Sequence, residues 1–168
     1  KTAHLLSKRP GIHVVENTGP LHYTFPMLID VPPFNDNNVR MAIKHAINRE
    51  KVLQLILKGH GTVGKDNPVG PSYRYYSKEL KPFPYDPEKA KFYLKKSGLS
   101  TLSVKLSAAD AAFAGAVYAA VLFKESATKA GINIQVIRES NDGYWSSVWL
   151  KKPWCACYWA GYATEDMI

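Results

Sequence analysis

The sequence is short of cysteine, of acidic residues and of long apolar runs, and each shortage removes a class of protein. Its only cysteines, Cys155 and Cys157, stand two apart in a stretch read as a strand, so they share a face and a bridge between them would strain the backbone. Two buried thiols are expected there, with neither a disulfide framework nor a redox pair. The longest nearly apolar run, residues 111–123, falls short of the roughly 20 residues that a membrane helix needs, so a soluble domain is expected. His4, His13, His22, His45 and His60 show no ligand spacing, and no protein-built metal site or cofactor is expected. His45, beside a helix's apolar face, reads as a packed or surface histidine.

Catalytic signatures are missing too. There is no nucleophile elbow, no His-Glu-x-x-His pair, no paired catalytic carboxylates and no glycine-rich nucleotide fingerprint. Gly64-Lys65-Asp66 lacks the spaced glycines and the following Ser or Thr of a phosphate loop. No covalent chemistry is expected. Lys1 opens the chain without an initiator Met or an apolar leader segment, as a mature secreted chain, a proteolytic piece or an excised segment would.

Acidic residues number 14 against 22 lysines and arginines, a net charge of +8. Such an excess fits nucleic acid or an anionic membrane as partner. Its distribution argues otherwise, because Lys89, Lys91, Lys95 and Lys96 punctuate one helix and the remaining bases are scattered. A solvated face is the expectation, with no nucleic-acid partner.

What is present is a folded α/β pattern rich in aromatic residues, with 10 Tyr, 6 Phe and 4 Trp in 168 residues. Residues 33–61 have the clearest local logic. Val39, Ala42, Ile43, Ala46 and Ile47 repeat at helical spacing, with Arg40, Lys44 and His45 off that stripe. Asn48 then caps a second helix carrying Val52, Leu53, Ile56 and Leu57, ended by a left-handed Gly59. The pair is expected to pack one layer of a larger core. Before it, residues 1–10 can end a helix, residues 12–15 read as a strand from Ile12, Val14 and Val15, and residues 21–29 read as a second strand in which Pro26 suggests an edge or a bulge.

After it, the glycines and prolines of residues 60–84 predict a long loop pinned by Tyr73, Tyr75, Tyr76, Phe83 and Tyr85. Asp86, Pro87, Glu88 and Gly98 bracket the next helix by the capping rules. A strand over residues 102–107, a long helix over 110–130 with Phe113, Val117 and Val121 facing the core, and a strand over 132–137 make a right-handed parallel crossover unit. Asn141 and Asp142 are expected to cap a short helix bearing Tyr144, Trp145, Val148 and Trp149, and residues 154–159 form a buried, central strand by their lack of charge.

Two segments carry a resemblance. The run PFNDNNVRMAIKHAINREKV followed by Gly59-His60-Gly61, and downstream YDPEKAKFYLKKSG, are similar in wording and order to the extracellular solute-binding proteins, family 5, of peptide-type ABC importers. The later order of strand, long helix, Gly-Ile strand, Tyr-Trp helix and aromatic strand resembles that family's second lobe from about Pro10 onward. The resemblance implies a mixed sheet flanked by helices, one lobe of a two-lobed clamshell of the type II, peptide-binder kind. Residues 1–168 would then be that second lobe, with the first lobe absent from this sequence. It also implies a periplasmic or extracellular location, a peptide or other small solute as ligand, and a membrane permease and the missing lobe as partners.

The candidate ligand-binding residues are Trp159, Ala160, Gly161 and Tyr162, at the C-terminal end of a strand in an open α/β sheet, where crevices form. Gly161 leaves room for a ligand to approach main-chain amides. In peptide-binding relatives the resemblance puts an aspartate, an anchor for the peptide's α-amino group, where Tyr162 stands here. Trp159 as core and Gly161 as a plain turn is the alternative. The strand-to-helix loop over residues 107–113, with Asp110 ahead of the long helix, and Arg138, after its strand, are further candidates for a charged ligand end; Asp110 as an ordinary N-cap and Arg138 as an exposed ion-pair partner are the competing readings. At this stage four functions stay open: a peptide carrier, a carrier of a non-peptide solute such as a nickel chelate, sugar, opine or haem, an independent basic interaction domain, and an enzyme with an unrecognised site.

Overall fold

The computed structural model describes residues 2–17 and 19–162. The helix pair forms where the apolar spacing and caps direct it. Asp36 accepts from the Asn38 amide and starts α2 (Asn37–Ala46), and Asn48 accepts from the Lys51 amide and starts α3 (Arg49–Ile56). The Gly59 amide, at φ +82°, closes onto the Leu53 carbonyl at 3.1 Å and satisfies the end of the second helix. Val39, Ala42, Ile43 and Ala46 enter the core as a stripe. His45, off that stripe, is also buried at 1% exposure, because α4 (Pro87–Lys96) covers the opposite flank of α2. The His45 ring stacks on Tyr93, meets Phe83 edge-on and bonds through Nδ1 to the Pro84 carbonyl at 3.0 Å.

Around this pair, α1 (Thr2–Leu6) precedes β1 (His22–Thr24), and β2 (Leu102–Ala108), α5 (Ala116–Thr128) and β3 (Ile132–Arg138) follow α4. The short α6 (Tyr144–Ser147) and β4 (Cys157–Trp159) complete the order. β2 and β3 pair in parallel, Leu102 opposite Ile132 through Ala108 opposite Arg138, with α5 as their crossover. β1 and β4 pair antiparallel, His22 opposite Trp159. The two ribbons join through residues 154–156. Ser107 donates its amide to the Trp154 carbonyl at 3.1 Å, and Ala156 donates to the Ser107 carbonyl at 2.9 Å, a parallel bridge. Met27 bridges Trp154 on the other side. The result is a mixed layer running β3, β2, the 154–159 segment and β1, so that segment is central, as its lack of charge foretells. Trp154, Cys155, Ala156 and Cys157 are accordingly buried.

Four expectations need correction. Residues 12–15 form no strand: they find no partner among the described residues, and Val15 is 79% exposed, so β-branched composition was not enough without a ladder. The long helix starts at Ala116 after Gly115, at φ +84°, and not at residue 110; Asp110 instead accepts from the Gly115 amide at 3.2 Å and closes a compact turn. Val121 is an exposed position on that helix. Asn141 and Asp142 do not cap α6, which follows Gly143 at φ +70°; the Asn141 side chain accepts from the Ala111 amide at 2.9 Å and staples the β2 and β3 loops together.

Candidate functional site

The two family-like arginines are explained by geometry before any ligand is considered. Arg40 donates to the Phe34 carbonyl at 2.7 Å and to Asn37 Oδ1 at 3.1 Å, tying α2 to the turn that precedes it. Arg49 donates to the Lys44 carbonyl at 2.9 Å and the Phe83 carbonyl at 3.2 Å, and grips both oxygens of Asp66 at 3.0 and 2.9 Å. It thereby fastens two distant parts of the 60–84 loop to the start of α3. Both guanidiniums are committed to the protein's own acceptors.

A cleft of about 2400 Å³ opens between the β1–β4 ribbon and the α2–α3 pair. Phe113 and Phe123 lie at its base, with Tyr23 stacked on Phe113 at a centroid distance of 4.3 Å. The opposite wall is the apolar side of α3, where Val52, Leu53, Ile56 and Leu57 line the cleft. No residue of α3 is fully buried, so this helix contributes less to the core than its pattern suggests and more to a cavity wall. Loop residues 60–71 and residues 14–17 and 19–21 rim the opening, joined by a 2.9 Å contact between His60 Nδ1 and Glu16 Oε2.

Of the residues singled out in the sequence, Trp159, Ala160 and Tyr162 line this cleft. Trp159 is held from two sides, donating Nε1 to Thr24 Oγ1 at 3.0 Å and meeting Trp149 edge-on at 5.4 Å. Trp145 extends the aromatic group, edge-on to Tyr158 at 5.4 Å. Tyr162 is 51% exposed and its ring has no stacking partner among the described residues. Gly161 has a neighbour of its own: a Cβ there would fall 2.5 Å from Pro20 Cγ and 3.1 Å from the Tyr73 hydroxyl. The absent side chain makes room for the protein's own chain.

Asp110 and Arg138 lie apart from these residues, in a polar hollow of about 240 Å³ with Glu139 and Asn141. Glu139 there accepts from the buried Ser107 hydroxyl at 2.7 Å. Both openings sit at the C-terminal edge of the parallel strands, because the 154–159 segment runs the same way as β2. Phe113, the last residue of the candidate loop 107–113, lines the cleft. Sequence reasoning missed Thr24 and Tyr23 as cleft residues; only the pairing of β1 with β4 brings Thr24 beside Trp159 and sets Tyr23 opposite Tyr158.

Beneath the cleft the chain is chemically quiet. Burial raises the Cys155 thiol to about 11 and the Cys157 thiol to about 12, the nearby Cys155 adding to the second. Burial likewise pushes Tyr144 well above the usual phenol range, and its hydroxyl donates to the Ala156 carbonyl at 2.8 Å. All three groups are neutral near pH 7. Among the described residues no cluster of three or more His, Cys, Asp or Glu is placed to hold a metal ion, and no helix is long and apolar enough to cross a membrane.

An open α/β layer with an aromatic cleft at the carboxyl edge of its strands is the architecture of the peptide-binder class of periplasmic binding proteins. The chain belongs to the bacterial extracellular solute-binding proteins, family 5 middle, whose pattern it matches over residues 2–166. It is similar to the ABC transporter-associated periplasmic binding protein DppA of Helicobacter pylori, solved in complex with the peptide STSA. That likeness has a TM-score of 0.82 at 26% identity and covers 94% of this chain and 30% of that one. It is also similar to the dipeptide-binding protein of Escherichia coli K12, 33% identical over 94 residues, which are 56% of this chain and 16% of that protein. Heme-binding protein A of Haemophilus influenzae is 32% identical over 89 residues, 53% of this chain and 16% of that protein. The chain thus spans about a third of the solved relative.

Proposed function

We propose that this chain is one lobe of the substrate-binding component of an ABC importer, taking peptides into a cleft that a first lobe, outside these residues, closes. The observation that supports this best is the aromatic wall of Trp159, Tyr23 and Phe113 at the carboxyl edge of the strands, in a chain of this family. Binding of this kind uses aromatic faces and main-chain contacts around an extended ligand, and closure around it is a hinge motion. The carrier performs no covalent chemistry, works in the periplasm or outside the cell, and delivers its solute to a membrane permease.

A second reading, a non-peptide solute, is favoured by Tyr162. It offers an exposed phenol where peptide-binding relatives are expected to offer a carboxylate to the ligand's ammonium group. Native mass spectrometry of the full-length protein, isolated without unfolding, separates the two. A ladder of co-purified peptide masses supports the first reading and a single non-peptide mass the second. A protein that carries nothing, and that neither a peptide library nor a small-solute library stabilises against heat, would overturn both.

A further inference from the structure

The loop over residues 60–84 rims the cleft, yet it holds no helix or strand of its own. A loop of that length without a ladder takes its course from the few side chains that pin it. Its tightest tie is to Arg49, the first residue of α3, whose side chain is 16% exposed. Nη2 donates to both oxygens of Asp66 at 3.0 and 2.9 Å, while Nη1 donates to the carbonyls of Lys44 at 2.9 Å and Phe83 at 3.2 Å. One guanidinium thus holds the loop at two places far apart in it. Asp66 itself sits at φ +53°, a left-handed conformation that a residue with a side chain keeps where its surroundings hold it. Lys44 adds a looser contact to the same carboxylate at 3.8 Å.

From Asp66 the chain leaves the α3 wall, and residues 66–71 all line the cleft. It then arrives at the other wall. The Tyr73 hydroxyl lies 3.1 Å from the place a Cβ on Gly161 would take, just past β4 and beside Tyr162. Residues 66–73 therefore bridge the two sides of the opening, and Pro68 and Pro71 stiffen the span by fixing their own backbone rotation. A stiff span moves as a piece when one end is released. We propose that residues 66–73 form a strap across the mouth of the cleft, and that Arg49, acting through Asp66, is the positioning residue that sets where the strap meets the solute. This rests on the carrier reading above and adds a determinant of affinity to it. Arg49 has both terminal nitrogens committed to the protein, so its effect on a solute passes through the strap.

The test uses the full-length protein with Arg49→Gln, Arg49→Lys, Asp66→Asn and the Arg49→Gln, Asp66→Asn double variant. Lys51→Gln is the control: it breaks another ion pair of α3, to Glu125 at 3.2 Å, away from the cleft lining. Affinity is read by native mass spectrometry against a peptide library and a small-solute library, at a temperature where circular dichroism shows each variant folded. The strap is read by the rate of tryptic cleavage after Arg74 and Lys78. Arg49→Gln and Asp66→Asn are each expected to lower affinity for the library member that the parent binds by roughly tenfold, and to speed cleavage by a similar factor. The double variant should be no weaker than the weaker single one, because the two residues act as a unit. Arg49→Lys should recover only part of the loss, since an ammonium does not reproduce the planar fork that serves the carboxylate and both carbonyls. Lys51→Gln should match the parent. Asp66 is at the surface, so Asp66→Asn carries the test even where Arg49→Gln fails to fold. Parent-like affinity in Asp66→Asn, with or without faster cleavage, would overturn the proposal alone. So would weaker binding with unchanged cleavage, which would make Asp66 a direct solute contact. A parent that binds no member of either library would remove the carrier reading and the strap together.

Discussion

Gly161 and Pro20 touch across most of the chain's length, and the contact sets what position 161 tolerates. A methyl group there meets a proline ring that cannot rotate away. Gly161→Ala is therefore expected to lower stability by about 1–3 kcal/mol, the range for overpacking a close contact, read from the denaturant midpoint. A midpoint unchanged from the parent would show that the 19–21 segment yields freely. Trp159 is fixed by Thr24 and Trp149, so Trp159→Ala removes cleft wall more than core, and solute affinity should fall well before the melting temperature does. Equal affinity in the variant and the parent would take Trp159 out of the site.

The buried thiols give a pH prediction with a definite sign. Raised folded-state values mean that the folded chain favours the protonated thiols. Their contribution to stability is fully present below the ordinary thiol value of 9.0 and is lost as pH climbs toward about 11 and 12. Stability of the parent should decline through this alkaline window more steeply than that of a Cys155→Ala, Cys157→Ala variant. Native-state labelling by a thiol reagent at neutral pH should be negligible, and rapid labelling of both would contradict their burial.

At the scale of elements, the helices and the crossover unit were legible because their information is local. Asp36, Asn48 and Asp86 each bond the amide that a cap should bond, and Pro87 opens α4 where the missing donor costs nothing. Asp86→Ala is expected to cost about 1 kcal/mol, measurable by thermal or urea unfolding. What stayed illegible depends on partners distant in sequence. Ile12, Val14 and Val15 look like a strand, yet a strand is a pairing, and nothing in 168 residues told them apart from β1. Residues 110–115 look helical, yet Asp110 and Asn141 spend their side chains on backbone amides and delay α5 to Ala116. The lining of the candidate cleft was half visible for the same reason. Trp159 and Tyr162 stand out in the chain, whereas the α3 wall was taken for core because an apolar helix face reads alike against protein and against a cleft.

For the whole molecule, the layer is closed by the 154–159 segment, which takes β2 on one side and β1 on the other. Thr24 and Trp159 are 135 residues apart in sequence. Such a join is the costliest kind to make early, since its loop must be ordered before any contact repays it. The helix pair, α4 and the β2–α5–β3 unit can each form from neighbours. The edge of β1 stays open until the last aromatic strand arrives. A chain emerging from the ribosome or threading through a membrane pore N-terminus first would hold that edge uncovered until residues 157–159 follow, exposed to pairing with other chains. Passage time, more than final stability, would then govern how much of the protein reaches its working form.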